Sequence, residues 1–241
     1  MPKIEENNIS KRIQPIIFVI NSSGNMYGSR CEELNIAMPK VLKMISNAYS
    51  QSDYLAQVAI MTYNTEVKWI PSPKLVSPDE IEWEDIVPFG GSYMGTAMVS
   101  LDNNLCRKNL LHITTGFVLP IIVWITSSGC SGFDEINFEN GIKGLSDNRW
   151  FVHSTKIGIN YSDEEYPTEV LKEELKMDVI QCDNYNAIYE IILFALKNAT
   201  HHVSFGGTNK SSPIEYYLEE INNDRSDSDS LSTEEWSDEE W

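Results

Sequence analysis

Two short stretches of the chain are apolar at nearly every position. Residues 15–20 (PIIFVI) and 119–126 (LPIIVWIT) are rich in β-branched side chains, which predicts parallel strands covered on both faces. Other stretches alternate or follow a helical period. Leu34, Met38, Val41, Leu42 and Ile45 recur at helical spacing within residues 29–49, with Pro39 inside the run. Residues 57–64 (QVAIMTYN) and 65–70 (TEVKWI) predict a hairpin turning near Asn64, and residues 74–87 a loop with one short helix or strand. A Phe89-Gly90-Gly91-Ser92 turn opens a helix expected over residues 94–111, and a short helix follows over 137–145. Residues 150–159 (WFVHSTKIGI) read as a strand, 167–176 as a helix with proline at its start, 178–181 as an edge strand and 185–199 as an apolar helix.

Strands alternating with helices imply one α/β domain: a Rossmann-like three-layer sandwich, mostly parallel, with one antiparallel edge strand and helices on both faces. We place a polar N-terminal extension at residues 1–12, the domain at 13–205, a linker with a short amphipathic segment at 206–222 and an acidic tail of disordered composition at 223–241. In such a sheet, ligands sit at the carboxyl ends of the strands, where the strand order reverses. Three small polar loops fall at that end: Asn21–Asn25, 90–93 and 126–131.

Those loops resemble the metal-ion-dependent adhesion site of the von Willebrand factor A domain. Asn21-Ser22-Ser23-Gly24-Asn25 stands in place of Asp-x-Ser-x-Ser. Gly90-Gly91-Ser92-Tyr93-Met94-Gly95 stands for the turn that carries a threonine, and Thr126-Ser127-Ser128-Gly129 for the aspartate that closes the central strand. The stretch 90–97 and the order of elements from Trp150 to Thr200 are similar to the TerY-like bacterial subfamily associated with tellurium resistance. The family pattern is broken at its charged positions. Asn21 replaces the first aspartate, Asn25 a serine, and Ser127 or Ser128 the last aspartate. Mg²⁺ prefers one or two carboxylates to offset its dehydration, so we expect a degenerate site and no bound metal. With no carboxylate pair and no G-x-S-x-G elbow at these loops, we expect no catalysis. If a metal binds at all, Ser23, Asn25 and Ser92 are the ligands left.

The resemblance implies a protein-protein interaction module, a scaffold or regulator in a bacterial stress-response and phosphorylation system. The implied partners are a protein kinase or a PP2C-type phosphatase encoded nearby. Its ligand face would be Asn21, Ser22, Ser23, Asn25, Ser92, Tyr93, Ser127, Ser128 and Cys130. Two alternatives use the same crevice. A partner carboxylate would complete a weak metal site, or FMN (or another small ligand) would bind as in flavodoxins, whose Ser/Thr-x-Thr-Gly-Asn-Thr phosphate loop resembles residues 21–26. Trp124 or Tyr93 would then stack on the flavin. The plainest reading makes Asn21, Ser23, Asn25 and Ser92 helix caps, and Asp134 and Glu135 solvated charge.

Composition narrows the partner. The net charge of −18 argues against nucleic acid and anionic membranes. Residues 224–241 hold eight acids against Arg225 alone, a net of −7, and repeat an acid–tryptophan pattern at Trp236 and Trp241, a candidate linear binding motif or a solubility element. Four scattered cysteines and a polar start suggest a cytoplasmic protein. No apolar run reaches the roughly 20 residues that cross a bilayer.

Overall fold

The computed structural model describes residues 11–50, 52–112, 118–127, 134–162, 165–182 and 184–202. Its sheet comprises β1 (Arg12–Asn21), β2 (Tyr54–Tyr63), β3 (Val67–Ile70), β4 (Ile121–Thr126), β5 (Thr155–Asn160) and β6 (Asp178–Gln181), in the order β3-β2-β1-β4-β5-β6. All neighbours pair in parallel except β2 and β3. β1 and β4 are adjacent at the centre, with later strands added outward on either side, so the topological switch point lies between them.

Alternation along the strands divides the core in two. Ile16, Phe18 and Ile20 of β1, with Ile121, Val123 and Ile125 of β4, face α1 (Ser29–Ser50) and α6 (Ile188–His202). Ile17, Val19, Ile122 and Trp124 face the opposite layer, which holds α2 (Met94–Asn104), α3 (Glu135–Asp147), α4 (Arg149–His153) and α5 (Glu165–Glu169), the last running into a π-helical turn at Val170–Glu174. Residues 16–20 of β1 are fully buried. Burial of each such side chain contributes about 1.5–3 kcal/mol, which makes β1 the energetic centre of the sheet. α1 runs unbroken through Pro39, which lies on its exposed side.

The strand expected over residues 150–159 is two elements, the helix α4 and the strand β5. Asn148 overrides the β-propensity of Trp150 and Phe151. Its Oδ1 accepts the N–H groups of Trp150 (3.0 Å) and Phe151 (3.3 Å), while its Nδ2 donates to Asp102 Oδ1 (2.9 Å) at the end of α2. α2 itself stops at Asn104, seven residues short of the expected Leu111, and 105–111 fold into turns whose Leu105 and Leu110 are buried. β1 begins at Arg12, inside the segment expected to be a polar extension. No helix among the described residues is long and apolar enough to cross a membrane.

α2 and α3 pack at backbone contact because small residues face each other. A Cβ on Gly95 would fall on the backbone of Phe138 and Asn137, and one on Gly141 would strike Met98. This contact sets where α2 starts, and with it where Ser92 sits. Gly95→Ala is therefore expected to cost about 3 kcal/mol, the upper end for overpacking, read as a lower urea midpoint with an unchanged slope. An unchanged midpoint would show that the helices can separate at no cost.

Candidate functional site

The carboxyl ends of β1, β2 and β4 lie side by side, and a single amide joins them. Asn21, the last residue of β1, is fully buried. Its Oδ1 accepts the N–H of Ser23 at 2.8 Å, which fixes the amide orientation. Nδ2 then faces the neighbouring elements, donating to Ser92 Oγ at 3.3 Å and to Thr126 Oγ1 at 3.2 Å. Tyr63, closing β2, donates its hydroxyl to the same Thr126 oxygen at 3.0 Å, and Trp124 Nε1–H donates to the Tyr63 hydroxyl at 3.2 Å. A threonine oxygen has two lone pairs, so it accepts both donors.

Backbone bonds hold the loops above this layer. Ser22 N–H donates to the Tyr63 carbonyl (2.7 Å), Phe89 N–H to Ser22 (3.1 Å), Gly24 N–H to Gly90 (3.0 Å) and Tyr93 N–H to Asn64 (2.9 Å). Asn64 adds a side-chain bond to Ser22 Oγ at 3.3 Å. Gly90 adopts φ 68, the left-handed region that favours glycine. The strap before α2 is pinned at Ile86, whose carbonyl accepts Asn35 Nδ2 (3.0 Å) and the Cys31 thiol (3.1 Å). Burial pushes that thiol up to about 11, so it stays protonated and donating at neutral pH.

The structure brings together Asn21, Ser22, Ser23, Ser92 and Ser127, all buried, from the expected ligand face. Asn25 and Tyr93 lie at its rim, Asn25 exposed and Tyr93 half-buried. Ser128 and Cys130 lie outside the described residues, as do Trp236, Trp241 and segments 206–222 and 223–241. The expected caps are corrected. Ser23 precedes a 3₁₀ turn at Gly24–Met26 without a side-chain cap bond, and the N-cap of α2 is Tyr93, also without one, while Ser92 Oγ accepts from Asn21. Asp134 is a further correction. It is 1% exposed, accepting Thr96 N–H (3.0 Å) and Thr96 Oγ–H (2.6 Å), so it fastens the start of α3 to α2 instead of being solvated.

Sequence reasoning missed Tyr63, Asn64 and Thr126. Thr126 lies inside the third motif and carried the clearest signal. Tyr63 reads as a core aromatic, and nothing in its spacing marks its hydroxyl.

The donor set does not fit a hard cation. The network members are amide, hydroxyl, phenol and indole, and Asn21 presents N–H donors where a ligand must present lone pairs. Among the described residues, no three His, Cys, Asp or Glu side chains converge on a metal position. The Oγ atoms of Ser23 and Ser127 are buried without a hydrogen-bond partner among the described residues. A flavin site fits no better. Trp124 is fully buried, out of reach of a ring, and the N–H groups of residues 22–24 and 26 are spent on internal acceptors.

Solved structures share this architecture. The chain superposes on a von Willebrand factor type A protein from Catenulispora acidiphila with a TM-score of 0.57 and 12% identity, over 78% of this chain and 43% of that one. It has the von Willebrand factor A fold. The PilB minor pilin from Streptococcus sanguinis gives 0.55 and 13%, over 82% and 63%. The TFIIH p34 N-terminal domain gives 0.56 and 12%, over 78% and 99%. The chain thus spans less than two thirds of the first two structures, and identities this low show the fold alone. Neither a protein-family model nor a curated protein matches the sequence.

Within this fold, Asn21 acts as the tie between strand ends. Asn21→Ala leaves the buried Ser23 N–H without its acceptor, takes the Asn21 donor from Ser92 Oγ, and leaves Thr126 Oγ1 with Tyr63 as its remaining donor of the two. Unpaired buried groups cost about 1–3 kcal/mol each. With partial relaxation we expect a loss of about 3 kcal/mol in urea unfolding, whereas Asn25→Ala at the rim should stay within about 0.5 kcal/mol. Equal effects at the two positions would refute the tie.

Proposed function

We propose that the chain is a non-catalytic protein-interaction module that docks its partner on the strand-end face without a metal ion, a degenerate form of the adhesion site associated with this fold. The observation that carries the reading is the Asn21 amide. Where a cation would need converging lone pairs, it places N–H groups against Ser92 and Thr126. The five buried residues of the expected ligand face lie around it, and Asn25 and Tyr93 sit at the rim. The acid–base pairs that hydrolytic chemistry needs are not among these residues.

The finer reading rests on the TerY-like resemblance at residues 90–97 and in the back half. The module works in the cytoplasm of a bacterium as a scaffold or regulator within a tellurium-resistance type of stress response. It brings a protein kinase and a PP2C-type phosphatase together, with the acid–tryptophan segment around Trp236 and Trp241 as a second point of attachment. The test is co-purification from the source cells with the tagged full chain. A kinase or phosphatase retained by the wild type and lost on Tyr93→Asp supports the scaffold. Retention that ignores strand-end substitutions removes the docking face, and neither enzyme being retained removes the phosphorylation role.

The metal-free claim has its own measurement. Calorimetric titration of Mg²⁺ and Mn²⁺ into the wild type should give only dilution heat at millimolar concentrations. The variant Asn21→Asp with Ser127→Asp restores two carboxylates and should gain saturable Mn²⁺ binding. Saturable binding to the wild type, abolished by Ser23→Ala with Ser92→Ala, would replace this reading with a residual metal-dependent site completed by a partner carboxylate.

A further inference from the structure

Beside the strand ends, the β2–β3 turn and the strap before α2 enclose a cleft of about 260 Å³. Ser22 and Asn64 line it, so it opens directly from the candidate site. Its walls are apolar where the strap passes. Val87 is 76% exposed and Phe89 is 56% exposed, a large apolar area for a strap otherwise pinned by backbone and side-chain bonds at Ile86 and Phe89. Its mouth is acidic. Glu66 stands on one side and Glu84 and Asp85 on the other, all exposed, with Lys68 as the lining cation. Lys68 Nζ already donates to Glu84 Oε2 at 2.8 Å. That pair leaves the carboxylates of Glu66 and Asp85 in the same lining as Val87 and Phe89.

We propose that this cleft receives an arginine or lysine side chain from a loop of the partner protein. A long basic side chain lays its methylenes along apolar surface and keeps its charged end at a polar margin, which matches a lining that holds Val87 and Phe89 together with Glu66 and Asp85. A guanidinium also supplies several donors and no acceptor, suiting a margin of carboxylates beside the Ser22 hydroxyl and Asn64. The polarity is therefore reversed from a metal-dependent site, where the partner brings the carboxylate. Here the chain holds the acids and the partner brings the cation. The Ser22, Asn64 and Phe89 lining is already tied by the bonds from Phe89 to Ser22 and from Tyr93 to Asn64, so less of the cleft must be organised on binding.

This assignment rests on the strand-end docking reading, and the experiment separates the two. The full ¹⁵N-labelled chain is titrated with the heptapeptide acetyl-Ala-Leu-Arg-Leu-Arg-Leu-Ala-amide, and with the same peptide carrying glutamine for arginine. The arginine peptide should shift the amides of Ser22, Glu66, Asp85 and Phe89, with at least tenfold weaker binding in the Glu66→Gln, Asp85→Asn double variant and no shifts from the glutamine peptide. Shifts confined to the acidic residues between 224 and 240, equal shifts from both peptides, or affinity unmoved in the double variant would each overturn it. If the natural partner docks at the strand ends yet binds the double variant as tightly as the wild type, the basic-side-chain assignment falls and the docking reading stands. If that partner binds away from the strand ends, the docking reading falls too.

Discussion

A parallel sheet whose strands end in a row must hold the polar groups at that end in place, and this chain does so with one buried amide. In a metal-dependent site a cation would do the same work by drawing oxygen ligands from three loops to a point. The Asn21 side chain joins the strand ends with two donors and an acceptor. Its oxygen fixes the turn after β1 through Ser23, and its nitrogen reaches the start of α2 through Ser92 and the end of β4 through Thr126. Tyr63 brings in β2 and Trp124 supports Tyr63 from below. The result is a neutral, closed network whose strength is hydrogen bonding in a site closed to water, where unpaired groups are costly.

The rest of the fold serves that geometry. β1 and β4 are adjacent because the strand order reverses between them, which puts Asn21 next to Thr126. α2 lies at backbone contact with α3 because Gly95 and Gly141 leave room, and the Thr96–Asp134 bonds lock the two helices at their starts. The strap between β3 and α2 is held against α1 through Ile86 and against the loop after β1 through Phe89 and Gly90. Those anchors fix the strap beside the strand ends, where Val87 and Phe89 are exposed. Such a surface suits recognition better than a mobile loop does, since less ordering entropy opposes binding.

The sheet was largely legible in the sequence because its signal is local. Residues 15–20 and 119–126 are apolar at successive positions, and a strand of that kind must be covered on both faces. Three motif loops in order pointed to the strand ends, where Asn21 bonds Ser92 and the N–H of Ser23. The errors came at particular side-chain bonds. Asn148 caps 150–153 as a helix through Trp150 and Phe151, a local signal that the β-propensity of the run outweighed, and its bond to Asp102, 46 residues away, fixes that cap against α2. Asp134 looked like surface charge because its partner, Thr96, is 38 residues away. Tyr63 and Thr126 escaped for a related reason: their side chains read as core and turn, and only their spatial meeting makes them part of the network.

Everything at the strand ends depends on the Asn21 side-chain amide donating inward, and its two hydrogens can be observed directly. In ¹⁵N-correlated spectra of the full chain, the Asn21 Nδ2 pair should be resolved and protected, and should persist in D₂O far longer than the side-chain amide of exposed Asn25. The signals should keep their positions in 10 mM Mg²⁺ and in EDTA alike. Rapid exchange of that pair, or a shift on adding Mg²⁺ that EDTA reverses, would contradict the amide tie and return an ion to the centre of the site.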